Sequence, residues 1–110
     1  MSTLLYHIHP PTVVKSIKGI TSVAPEIALD KHMTMFSLQG FQMQATDDFL
    51  ASRTPVLVNT DCYIELAAPK KSMTDYFYKN ADADEILFIH RGSGTLKTQL
   101  GNIDFSYGDY

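Results

Sequence analysis

His7 and His9 stand one residue apart, and in an extended strand that spacing puts both imidazoles on one face, where they could share a metal ion. Pro10 and Pro11 follow at once and no carboxylate stands nearby, so the pair reads as part of a solvated arm. His90 ends an apolar run just before Arg91 and Gly92, the place of a rim hydrogen bond at a strand end, and His32 sits in no pattern. Asp82, Asp84 and Glu85 gather three carboxylates, yet they lack the glycine-punctuated loop of oxygen ligands that holds calcium and read as a solvated turn. Gly92, Ser93 and Gly94 lead into a strand pattern, so no helix N-terminus follows to hold an anion and the segment reads as a hairpin bend. Cys62 alternates with Ile64 and Leu66 and reads as a small core residue, with no neighbouring histidine to make it a nucleophile. Tyr63, Tyr76, Tyr78 and Phe88 are the candidates for lining a small-ligand pocket, although aromatic residues at strand spacing also suit a plain core. No residue is assigned a catalytic role.

The elements that would position these groups are those of one small domain. The chain has 110 residues, 45% of them hydrophobic and 19% charged, a length that suits one core and not two. Nine basic and twelve acidic residues leave a net charge of −3, with only Lys70 and Lys71 adjacent. That balance offers no footprint for nucleic acid. The single cysteine excludes an internal disulfide and fits a reducing compartment, so the cytoplasm is the expected location. No apolar run reaches the length of a membrane span, and Met1 to Pro11 has neither the basic head nor the apolar run of a signal peptide.

Residues 1–32 read as an irregular N-terminal arm, with Pro10, Pro11 and Pro25 interrupting regular structure and a short helix conceivable over Pro25 to His32. Residues 33–110 read as a β domain. Strands are expected at Met33–Leu38, Pro55–Asn59, Cys62–Leu66, Asp75–Lys79, Glu85–His90, Thr95–Leu100 and Ile103–Tyr107. Asn59 to Asp61 supplies turn chemistry, and Asp47, Asp48 and Ser52 mark a loop or a single helical turn. Gly101 and Asn102 are expected to form a two-residue hairpin loop, since both tolerate positive φ. Alternation then places Leu96, Thr98 and Leu100 on one face, and Ile103, Phe105 and Tyr107 on the face away from Asp104 and Ser106. About eight short strands without a long helical period make the expected class all-β, a jelly-roll barrel or sandwich. Gly108, Asp109 and Tyr110 read as a turn into a further strand, so the domain is expected to be truncated.

The run from Asp75 to Tyr110 carries a family resemblance. Glu85 and Gly92, with six residues between them, resemble the second half of the first cupin motif, and Gly108 with Asp109 resembles the opening of the second. The motif's two histidines are absent: the positions before Glu85 hold Lys79 and Ala81, or Tyr78 and Asn80 with a longer gap. Asn80, Ala81, Asp82, Glu85 and Gly92 together resemble the N-terminal, degenerate cupin domain of homogentisate 1,2-dioxygenase. Thr60, Asp61 and Tyr63, and the opening Tyr6 and His7 with Pro10 and Pro11, look like the same domain. The resemblance implies part of an enzyme that opens an aromatic ring with O₂ at a non-haem Fe(II), in tyrosine and phenylalanine breakdown. It implies that the iron ligands belong to a C-terminal catalytic domain, that no metal or cofactor is held by this chain, and that homo-oligomer neighbours are partners. Asn80, Asp82, Glu85, Gly92, Gly108 and Asp109 are then a structural remnant of the metal motif. The alternative is a stand-alone, metal-free cupin-like module that binds a small ligand.

Overall fold

The structure is a computed structural model and describes residues 2, 4, 6, 8, 12–19, 22–29 and 35–110. Its regular elements are a 3-10 turn at Gly40–Gln42 and four strands: β1 (Thr54–Val58), β2 (Tyr63–Leu66), β3 (Gly94–Thr98) and β4 (Gly101–Phe105). The strands form two antiparallel pairs, β1 with β2 and β3 with β4. Among the described residues there is no α-helix, and the all-β class expected from the sequence is what the chain adopts. The chain divides into two compact units, Met1–Ser72 and Met73–Tyr110.

In the first unit, β1 and β2 are joined by a loop that Asn59 builds. Its Oδ1 accepts the backbone N–H of Asp61 at 2.8 Å and of Cys62 at 2.7 Å, and its own N–H donates to the Cys62 carbonyl. This is the Asx geometry that makes asparagine a turn residue. The register pairs Pro55 with Glu65 and Leu57 with Ile64, so Val56 is an extra residue on β1. The bulge follows from Pro55, which has no N–H to give the ladder and is tolerated where pairing is interrupted. Ahead of β1 the chain makes one tight turn. Asp48 Oδ1 accepts the Ala51 N–H at 3.0 Å while the Asp48 carbonyl accepts that of Ser52. Of the loop or single helical turn expected around Asp47, Asp48 and Ser52, the structure shows a hydrogen-bonded turn. Ser52 is the one buried residue among those described, and its hydroxyl donates to the Phe49 carbonyl at 3.2 Å.

Two further contacts tie this unit together. Thr46 bridges Pro69, with the Thr46 N–H donating to Ala68 and the Lys70 N–H returning to Thr46 and Asp47. Gly40 lies under β2: a Cβ there would meet Leu66 Cδ1 at 2.7 Å, so only glycine admits the leucine at this distance.

The second unit is organised by the β3–β4 hairpin. Leu96 faces Ile103, Gly94 faces Phe105, and on the opposite side Thr95 faces Asp104. Leu96 on one strand and Ile103 and Phe105 on the other thus share a face, as the alternation required. The turn lies two residues earlier than the sequence reading put it. Thr98 pairs with Gly101, so Gln99 and Leu100 form the loop and Gly101 with Asn102 opens β4. The Thr98 side chain decides this, accepting the Leu100 N–H at 3.1 Å and donating its hydroxyl hydrogen to the Gly101 carbonyl at 2.8 Å. Gly101 does take positive φ, at 129°, while Asn102 does not. Leu100 accordingly sits at an exposed turn and not on the apolar face.

Three expected strands are not formed. Residues 35–38 of the Met33–Leu38 segment are irregular, and Met33 and Thr34 lie outside the described residues, as do His7, His9, Pro10, Pro11 and His32. Asp75–Lys79 and Glu85–His90 form no strand and pair with none among the described residues. Alternation supplies one apolar face, but a strand also needs a neighbour for its ladder. The short helix conceivable over Pro25 to His32 is absent from 25–29, whose backbone is irregular. Cys62 is exposed, a correction that follows from its place at the end of the Asn59 loop, before the alternation of β2 begins. Among the described residues no hydrophobic side chain is buried, and no helix is long and apolar enough to cross a membrane.

Candidate functional site

Asn80, Asp82, Glu85, Gly92, Gly108 and Asp109 all lie in the second unit. Asn80 folds the segment around itself: its Oδ1 accepts the N–H of Asp82 at 3.0 Å and of Ala83 at 3.2 Å, which reverses the chain in the space of four residues. The reversal brings Glu85 back to Tyr78. The Tyr78 hydroxyl donates to Glu85 Oε1 at 2.5 Å, and the Asn80 amide donates to the same oxygen at 3.0 Å. Hydrogen bonds to an ionised acceptor are the stronger kind, so this carboxylate oxygen acts as the knot of the 78–85 loop. Asp82 lends the loop its backbone N–H.

Gly108 and Asp109 are tied to Ile89, in the irregular segment that precedes β3. The Gly108 N–H donates to the Ile89 carbonyl at 2.8 Å, and the Ile89 N–H donates to the Asp109 carbonyl at 2.9 Å. Gly108 has φ of 92°, a conformation that glycine takes without strain. Asp109 Oδ2 accepts both the backbone N–H and the hydroxyl of Ser106, at 2.7 and 3.2 Å. Next to this turn His90 meets Tyr107 edge to face, with ring centroids 6.4 Å apart. Gly92, at φ of 94°, makes the bend ahead of β3.

Tyr63 lies on β2 in the first unit, whereas Tyr76, Tyr78 and Phe88 lie in the second, and all four are exposed. The structure joins Tyr78 to Asn80 and Glu85, a link the sequence reading did not make although it singled out each of the three. The signal available was Asn80 itself, a turn residue midway between two hydrogen-bonding side chains. A second group was missed altogether. Arg53 Nε donates to Glu65 Oε2 at 2.5 Å, the same oxygen pairs with Arg53 Nη2, and the guanidinium lies 5.6 Å from the Phe49 ring centroid. In the same unit Lys71 Nζ pairs with Asp47 Oδ1 at 2.7 Å. The Lys71 hydrogen bond, helped by the Asp48 N–H, holds the Asp47 carboxyl below its ordinary pKa, and Asp47 in turn raises that of Lys71.

An open depression of about 230 Å³ is lined by Leu57, Val58, Asn59, Cys62 and Ile64 at the end of the β1–β2 hairpin. Fe(II) in a ring-cleaving dioxygenase needs convergent histidine and carboxylate ligands. Among the described residues no three His, Cys, Asp or Glu side chains are grouped to hold a metal ion, so these residues do not fit an iron centre.

Over 108 residues, 98% of its length, the chain is 29% identical to a protein of Saccharolobus solfataricus named "Putative dioxygenase". The matched region is 28% of that protein, so the chain spans little more than a quarter of the curated relative. No family model matches the chain. No solved structure matches it either.

Proposed function

We propose that this chain is the N-terminal, structural and assembly portion of a larger oxygen-dependent ring-cleaving enzyme of the homogentisate 1,2-dioxygenase type. The observation that carries this reading is the similarity of nearly the whole chain to a quarter of a protein bearing a dioxygenase name. The tie between Asn80, Glu85 and Tyr78 supports it, because it uses the motif carboxylate to close a loop and leaves iron binding to other residues. In this reading the two hairpins belong to a cupin-like jelly roll, and Fe(II) is held by a C-terminal catalytic domain. The partners are that domain and the neighbouring subunits of a homo-oligomer, in the cytoplasm.

The test has two readouts. The purified 110-residue chain, given Fe(II) and homogentisate, is expected to take up no oxygen. The natural product in its source cells is expected to be more than three times the 12.3 kDa of this chain. Oxygen uptake by the chain alone overturns the structural role. A natural mass of 12.3 kDa overturns the dioxygenase reading and leaves a metal-free ligand-binding module as the account.

A further inference from the structure

We draw no further inference here: the strongest candidate, the open depression at the end of the β1–β2 hairpin lined by Leu57, Val58, Asn59, Ile64 and the exposed Cys62, rests on a lone cysteine, and among the described residues nothing points to a ligand for it.

Discussion

Arg53 and Glu65 link the turn ahead of β1 to the far strand of the first hairpin, and removing either is expected to loosen both elements. The two side chains are 21% and 22% exposed. An exposed pair contributes about 0.2–1 kcal/mol, and a charge-assisted hydrogen bond such as that from Arg53 Nε roughly doubles a neutral one. The Phe49 ring, 5.6 Å from the guanidinium, adds about 0.5–1 kcal/mol. Arg53→Ala is therefore expected to cost about 1.5–2.5 kcal/mol of hairpin stability, and its coupling to Glu65→Gln to be about 1 kcal/mol. Arg53→Lys retains the charge but loses the planar fork and most of the ring contact, so it is expected to recover less than half of the loss. The assay is amide exchange across β1 and β2, where each 1.4 kcal/mol is about a tenfold change in the opening equilibrium. A coupling below about 0.3 kcal/mol, or a lysine variant equal to the parent, refutes the assignment.

Other outcomes follow from the same geometry. The Asp47 carboxyl is expected to titrate below its ordinary value of 3.8 and to return towards it in Lys71→Ala. Because the folded pKa of Asp47 is depressed, its contribution to the Thr46–Lys71 clasp is present above 3.8 and is lost as pH falls through the lowered value. The Lys71 contribution is present below 10.5 and lost as pH rises through its raised value. Carbon-detected titration checks both, and an Asp47 midpoint unmoved by Lys71→Ala refutes the pairing. Gly101→Ala forces an L residue to a φ of 129° and is expected to destabilise the β3–β4 hairpin by about 1 kcal/mol or more. Exchange at the β3 and β4 amides measures it, and an unchanged hairpin refutes the turn assignment. Cys62 is exposed, and a thiol-specific reagent is expected to label it in the folded chain as fast as in denaturant. Marked protection of the thiol places it instead in the core that the alternation with Ile64 and Leu66 implied.

The turn chemistry was the most legible part of this chain. Asn59 and Asp48 each close a loop through their own side chains, and such contacts span only two or three residues, so local sequence carries them. The two faces of the second hairpin were legible for the same reason, since alternation depends on neighbours in the chain. The position of its turn was not. Gly101 and Asn102 tolerate positive φ, but Thr98 offers the Leu100 N–H and the Gly101 carbonyl better partners two residues earlier. The strands expected at Asp75–Lys79 and Glu85–His90 show the limit of periodicity, which reports a half-buried surface and says nothing about whether a partner strand is present.

By itself the sequence determined the all-β class and the amphipathic character of Gly94–Phe105. Tertiary structure alone decided that Glu85 closes onto Tyr78 across seven residues, that Arg53 reaches Glu65 across twelve, and that Ile89 pairs with Gly108 and Asp109. The physical reason is the range of the interactions. Turn propensity and alternation are set by covalent neighbours, whereas a hydrogen bond between distant residues requires the intervening backbone to be placed first, and that placement depends on the turns and registers acting together.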